Sequence, residues 1–219
     1  MFAEKSTKIW MDLCLSIIAH FLILAPSIYI VVLYAQTDYS LFVWHPTCLT
    51  VGCALLMTEA ILAISGENLL LSKSSRVNRI RVHSLLHILG MVLMTVGFGV
   101  IIANKINNNS NHFTSDHGKL GLTAVIVAYV VALGGVSTSY SGLLSPRVSL
   151  ASLKLVHGCC GIVAIILLFA TLFTGLYKRS FLGSDLGVSL TISSYVVGLF
   201  IVLVKPLYTT LVRIRGIFT

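Results

Sequence analysis

Four histidines lie near the starts of four successive apolar stretches: His45, His83, His117 and His157. Consecutive members are 38, 34 and 40 residues apart, which is one membrane-spanning helix and a loop each time. Successive spans begin at alternating faces of a membrane. His45 and His117 are therefore predicted near one face, and His83 and His157 near the other. Ionisable side chains within a membrane are costly, so their presence there indicates a function.

Two histidines at one depth on facing helices can supply both axial ligands of a haem iron. The pattern therefore predicts two haems, one held by His45 and His117 and the other by His83 and His157. The sequence has no CxxCH attachment motif, so both are predicted to be non-covalent haem b. Bis-histidine ligation leaves no open position on the iron, which favours electron transfer. Sites separated by roughly half of the ~30 Å hydrocarbon core would form a redox chain across it.

Two further histidines lie close to these sites. His87 follows His83 by one helical turn on the same face. It is expected to support the haem without touching the iron, although ligation in place of His83 stays open. His112 precedes the fourth span and is expected to be either a solvated loop residue or part of an electron-acceptor site.

Glu59 is the one acidic residue well inside a predicted span. It follows His45 by fourteen residues, or about 21 Å along a helix, which places it toward the membrane face of His83 and His157, the cytosolic face in the orientation given below. A hydrogen bond near that haem, a part in proton movement and pairing with a neighbouring side chain are all compatible with this position. His20, in the first span, has no histidine at a matching depth and is expected to be structural.

The elements that carry these residues are predicted from composition and hydropathy. Of 219 residues, 57% are hydrophobic and 10% are charged, a balance typical of a chain dissolved in lipid. The fold class is therefore all-α and polytopic, a single domain over residues 1–219. Helices 2–5 are expected to form a central four-helix bundle around the haems. Six spans are predicted, at about residues 10–35, 42–66, 82–104, 118–140, 155–177 and 187–208.

The basic residues predict the orientation. Both termini lie on one side of a six-span chain, and that side is cytosolic because it holds most of the lysines and arginines. A glycosylation sequon at Asn108 lies on the opposite, luminal side. The net charge of +8 sits in short connectors without interleaved aromatic residues, so no nucleic-acid partner is expected. The cytosolic side holds Lys5, Lys8, Lys73, Arg76, Arg79, Arg81, Arg147, Lys154, Lys205, Arg213 and Arg215, and the other side holds Lys105, Lys119, Lys178 and Arg179.

The segments around the histidines resemble the cytochrome b561 family over essentially the whole chain. They are SLFVWHP with LMTEA after it, RVHSLLH, DHGKLGL and LKLVHG. The resemblance implies six spans, two haems b with the same histidine pairs, and an ascorbate-dependent transmembrane reductase. Cytosolic ascorbate would be the donor, and luminal monodehydroascorbate or ferric iron would be the acceptor. It also implies an endomembrane location, such as the endoplasmic reticulum or vesicles, and a possible homodimer.

An anionic donor requires cationic side chains beside the cytosolic haem. Arg79, Arg81 and Lys154 are the candidates, although the same residues also fit topology charges that reach the headgroups. Better-known ascorbate-using members have a lysine three residues before the third-span ligand. This chain has Ile80 there, so its donor contact departs from theirs.

Other classes of protein remain compatible with the sequence. A histidine-bearing proton or metal transporter would have its sites near the bilayer midplane, with carboxylates beside the histidines. A haem-bearing anchor subunit of a quinone-linked complex would need a stable soluble partner. An adaptor that kept the fold without the cofactor would have no reason to retain all four histidines.

Overall fold

The structure is a computed structural model that describes residues 2–65, 71, 73–140, 149–178 and 185–218. Each of its six helices contains a stretch long and apolar enough to cross a membrane, which confirms the prediction of an all-α, six-span chain. The helices are α1 (Phe2–Ala35), α2 (Leu41–Ser65), α3 (Arg76–Asn107), α4 (Asp116–Ser139), α5 (Leu150–Lys178) and α6 (Asp185–Phe218).

The helices run longer than the apolar stretches that predicted them. Helix α3 begins six residues before the predicted span, α5 begins five residues before it, and α6 continues ten residues beyond it. Hydropathy locates only the part of a helix that crosses lipid. Lysine and arginine are good helix formers, so the helices continue into their charged flanks. Arg147 and Arg179 lie outside the described residues.

Helix α2 changes its winding in the middle. Regular α-helix at Leu41–Leu49 and Met57–Ser65 flanks a π-helix at Thr50–Leu56. A π-helix accommodates one extra residue in the hydrogen-bonded ladder, and such segments often lie near functional sites. Hydropathy does not distinguish π from α winding, so the π segment could not be predicted from the sequence pattern.

Helices α2 and α3 approach each other closely at two glycines. A Cβ atom added to Gly52 would lie 2.8 Å from the carbonyl oxygen of Gly90, and one added to Gly90 would lie 2.8 Å from the carbonyl oxygen of Gly52. Small residues at such a crossing allow two backbones to pack directly in a membrane. The π segment contains Gly52, so it lies at this crossing.

The described chain divides into two compact units. The first comprises Met1–Asn111 and Leu176–Val202, and the second comprises His112–Gly175 and Leu203–Thr219. In the first unit, Ala19, Leu62 and Val202 form a buried apolar cluster. A hydrogen bond of 2.9 Å between the hydroxyls of Ser27 and Tyr195, both buried, also joins α1 to the first part of α6.

Replacing Gly90 with alanine should destabilise the first unit, because the added methyl group meets backbone that cannot move aside. Overpacking of this kind typically costs about 1–3 kcal/mol. The measurement is thermal unfolding in one detergent, followed by circular dichroism. Gly99→Ala is the matched control, since a Cβ at Gly99 meets nothing within 4 Å. Equal melting temperatures for the two variants would contradict the close approach.

Candidate functional site

In the first unit, His45 and His83 make reciprocal bonds between α2 and α3. The Nδ1 atom of His45 lies 3.0 Å from the carbonyl oxygen of Gly97 on α3. The Nδ1 atom of His83 lies 2.9 Å from the carbonyl oxygen of Ala60 on α2. Each histidine near the start of one helix is thus tied to the backbone near the other end of its neighbour.

The second unit repeats the arrangement with α4 and α5. The Nδ1 atom of His117 lies 3.0 Å from the carbonyl oxygen of Thr171, and that of His157 lies 3.2 Å from the carbonyl oxygen of Val131. Thr174 supports the first of these bonds, since its hydroxyl is 3.3 Å from the same Nδ1 and donates to Thr171 at 2.8 Å.

The acceptor carbonyls follow a regular spacing along the chain. Gly97, Val131 and Thr171 each come fourteen residues after the histidine on their own helix, or about 21 Å along an α-helix. Ala60 comes fifteen residues after His45. The extra residue lies in α2, the helix that contains the π segment. The wider winding of that segment keeps the Ala60 carbonyl in a position equivalent to those of the other three acceptors.

These bonds fix where the proton sits on each imidazole. A carbonyl oxygen can only accept, so the Nδ1 atom must carry the hydrogen and donate it. In a neutral imidazole the lone pair is then on Nε2, which is the atom that binds a metal. Metal-binding histidines in proteins are commonly oriented by a backbone carbonyl in this manner. The donor chemistry of all four histidines therefore fits axial ligation of iron.

Glycines leave room for two of the rings. A Cβ at Gly135 would lie 3.1 Å from Cε1 of His157, and a Cβ at Gly175 would lie 3.0 Å from Cε1 of His117. Each glycine comes four residues after the carbonyl that accepts from the same ring. One helical turn therefore supplies both the acceptor and the space beside it.

Helix capping holds the start of α4, which carries His117. The hydroxyl of Ser115 accepts a hydrogen bond of 3.2 Å from the Gly118 amide. A serine in this position satisfies one of the unpaired amides at a helix start. Phe113, just before it, has a positive φ of 53°. Its Cα lies 3.3 Å from where a Cβ of Gly118 would be, so the turn packs against the helix.

His87 and His112 differ from the four histidines above. The rings of His87 and His83 meet edge to face, with centroids 4.5 Å apart. His112 is half-buried beside Phe113, and its enclosed Nδ1 has no hydrogen-bond partner among the described residues.

Glu59 is paired with His20. The Nδ1 atom of His20 lies 2.7 Å from a carboxylate oxygen of Glu59, which links α1 to α2. Glu59 immediately precedes Ala60, the residue whose carbonyl accepts from His83. The sequence left three roles open for Glu59 and gave His20 no partner. Nothing in the pattern predicted this contact between residues 39 positions apart.

The three candidate cations differ in exposure. Arg81 is exposed and its guanidinium lies 3.5 Å from the Asn78 side chain. Arg79 is half-buried, and its enclosed Nε atom has no described hydrogen-bond partner. Lys154 is also half-buried, and its backbone carbonyl accepts a bond of 3.2 Å from Arg213 on α6.

Comparison with known proteins identifies the family. The sequence model of eukaryotic cytochrome b561 matches residues 44–182, a range that contains all four histidines. The chain belongs to the cytochrome b561 family. Transmembrane reductase CYB561D2 from Homo sapiens is 38% identical to it over 169 residues, which are 77% of this chain and 75% of that protein. Probable transmembrane reductase CYB561D1 from Mus musculus is 31% identical, over 77% of this chain and 73% of its own length.

The family assignment confirms the resemblance inferred from the histidine segments. Cytochrome b561 proteins bind haem as a family, and the names of the relatives support a transmembrane oxidoreductase. In the described part of the chain, no three or more His, Cys, Asp or Glu side chains are grouped to hold a metal ion.

Removing one partner of the His20–Glu59 pair should destabilise the protein more than removing both. His20→Leu leaves a carboxylate in a largely apolar region, whereas His20→Leu with Glu59→Met leaves two apolar side chains. We expect a coupling free energy of about 0.5–3 kcal/mol from the double-mutant cycle. Thermal unfolding in one detergent measures it. Strictly additive single changes would mean that the two side chains do not interact.

Proposed function

We propose that this cytochrome b561 protein is a di-haem transmembrane reductase that uses cytosolic ascorbate. On the cytosolic side, the ascorbate monoanion loses one electron and releases one proton to water, which gives the monodehydroascorbate radical anion. On the luminal side, monodehydroascorbate or ferric iron gains one electron. The reductase names of the two relatives support the reaction class.

The observation that carries the proposal is the set of four bonds from imidazole Nδ1 to backbone carbonyls. It leaves each Nε2 with the lone pair that an iron ligand needs. We assign His45 and His117 to the luminal haem and His83 and His157 to the cytosolic haem. A haem iron bound there would alternate between the ferric and ferrous states, gaining and losing one electron.

The spacing within each helix pair supports two separate layers of ligands. His45 on α2 bonds to a carbonyl of α3 that lies about 21 Å along α3 from His83. In the same way, His83 bonds to a carbonyl of α2 that lies about 21 Å along α2 from His45. The two histidines of this pair are therefore at opposite ends of it. Helices α4 and α5 have the same arrangement. Each end of each pair can supply one ligand, as two bis-histidine sites require.

The environment of His83 favours it over His87 as the ligand. His83 has the carbonyl bond that the other three ligands share. The ring of His87 packs against the edge of His83, where it would hold that ring in place. Glu59 and His20 lie beside the Ala60 carbonyl that accepts from His83, and they would maintain the backbone there.

His112, near the start of α4, would contribute to the luminal site that binds the electron acceptor.

Cationic side chains would bind the anionic donor. Arg79 and Arg81 lie four and two residues before His83, and Lys154 lies three before His157. The half-buried Arg79 can offer its Nε–H to a carboxylate or enolate oxygen. Arginine pairs with such anions through several parallel hydrogen bonds. Arg79 and Arg81 can therefore replace the lysine that better-known members have at the position of Ile80.

The proposal includes the orientation of the chain in its membrane. Both termini lie in the cytosol, the sequon at Asn108 is luminal, and the protein resides in an endomembrane such as the endoplasmic reticulum or vesicles. A homodimer completes the proposed assembly.

The purified protein should contain two haems per chain that ascorbate reduces, giving a sharp reduced α-band. His83→Ala and His157→Ala should each lower the content to about one haem and abolish reduction by cytosolic ascorbate. His45→Ala and His117→Ala should also leave about one haem, which ascorbate still reduces. The measurements are haem per chain by the pyridine haemochrome assay and absorption spectra before and after ascorbate.

His87→Asn is the matched control, because His87 neighbours a ligand on the same helix. It should keep two haems. One haem in His87→Asn together with two in His83→Ala would reverse the assignment of these two residues. A colourless wild-type protein would overturn the di-haem proposal and favour the transporter alternative.

Reversing the charge of Arg81 should weaken binding of the donor. We expect the KM for ascorbate to rise roughly tenfold in Arg81→Glu at low ionic strength, and the difference to shrink as salt screens the charge. Stopped-flow reduction in proteoliposomes measures both effects. Lys119→Glu makes the same change of net charge on the opposite face, so equal effects of the two variants would argue against a donor site at Arg81.

A further inference from the structure

Arg213, on the last helix, lies against the turn that carries a histidine ligand. Its Nη1 atom donates a hydrogen bond of 3.2 Å to the carbonyl oxygen of Lys154. Lys154 precedes His157 by three residues, or about one helical turn. Both residues belong to the second compact unit. Arg213 also lies outside residues 44–182, the range that matches the family.

Gly158 leaves the space that the guanidinium uses. A Cβ at Gly158 would lie 3.8 Å from Nη1 of Arg213 and 3.3 Å from the hydroxyl of Thr210, one turn earlier on α6. The side chain of Arg213 therefore extends along α5 next to His157. The guanidinium charge therefore lies at the turn of α5 that contains His157.

The charge of Arg213 is permanent. A guanidinium keeps its proton under all physiological conditions. In the described part of the chain, no carboxylate lies within salt-bridge distance of it. Its described hydrogen bond goes to a neutral carbonyl, which leaves the full positive charge in place. Half-burial reduces the screening of that charge by water.

We propose that Arg213 raises the reduction potential of the cytosolic haem site held in part by His157. A fixed positive charge favours the reduced form of a neighbouring redox centre, because that form carries one less positive charge. A nearby unit charge at an effective dielectric constant of about 20 changes the equilibrium constant for reduction on the order of tenfold. The inference rests on the di-haem function proposed above. The role proposed for Arg213 is electrostatic tuning, distinct from ligation of the iron and from binding of the donor.

A purely structural role for Arg213 has different consequences. If the guanidinium only ties α6 to α5, then a neutral side chain that still donates to the Lys154 carbonyl should preserve the potential. Docking of ascorbate on Arg213 would change the KM and leave the potential unaltered. The midpoint potential therefore separates tuning from both alternatives.

The test is a spectroelectrochemical titration of the detergent-purified holoprotein. Arg213→Gln keeps a hydrogen-bond donor and removes the charge, Arg213→Lys keeps the charge, and Arg215→Gln removes a charge from an exposed position two residues away. We expect Arg213→Gln to lower one of two midpoint potentials by about 59 mV, the equivalent of a tenfold change for one electron. Arg213→Lys and Arg215→Gln should each change the equilibrium constant less than about threefold.

The affected potential must belong to the haem that is missing in the His157→Ala variant. Two haems with unchanged potentials in Arg213→Gln would overturn the inference, and so would equal shifts in Arg213→Gln and Arg215→Gln. Thr210→Asp provides a second route if Arg213→Gln loses haem, since it brings a carboxylate to the same guanidinium. That variant should lower the same potential, and an unchanged potential would also overturn the inference. A wild-type protein without haem would instead refute the proposed function.

Discussion

The hydrogen bond from a histidine Nδ1 to a carbonyl of the neighbouring helix is the interaction on which this structure depends. An imidazole N–H placed in a membrane needs an acceptor, and a helix carbonyl retains a lone pair after accepting its own helical bond. One such bond satisfies the donor, sets the tautomer and orients the ring. It also ties two helices together at a defined depth. Four of these bonds, two in each compact unit, organise α2 to α5.

That interaction restricts what can surround it. A helix carbonyl is accessible to a facing side chain only if the two backbones lie close together, and this accounts for the Gly52–Gly90 crossing in the first unit. In the second unit, Gly135 and Gly175 provide the corresponding space beside the rings themselves. Glycine thus has two different roles in the two units, and both keep an imidazole in contact with a main-chain oxygen.

The sequence predicted the parts of this molecule that repeat along the chain. Span number and the four histidines follow from hydropathy and from separations of 34 to 40 residues. The acceptors could not be predicted, because any residue has a carbonyl and Gly97, Ala60, Thr171 and Val131 share no side chain. The His20–Glu59 pair and the position of Arg213 depend on which helices pack together, which periodicity does not specify. Hydropathy locates the spans alone, and charged residues continue several helices beyond them.

The π segment of α2 has a consequence for how the two halves of the molecule are compared as sequences. Matching His45 to His117 without a gap aligns Ala60 with Ala132, an identity that would look like evidence for the alignment. In the structure, Ala60 is instead equivalent to Val131. Each of these two residues accepts a bond from the histidine on the neighbouring helix of its own compact unit. A correct superposition must leave one residue of α2 unmatched between His45 and Ala60, whereas α3 and α5 align without interruption from histidine to acceptor. Local identity is therefore a misleading guide to equivalence in this part of the chain.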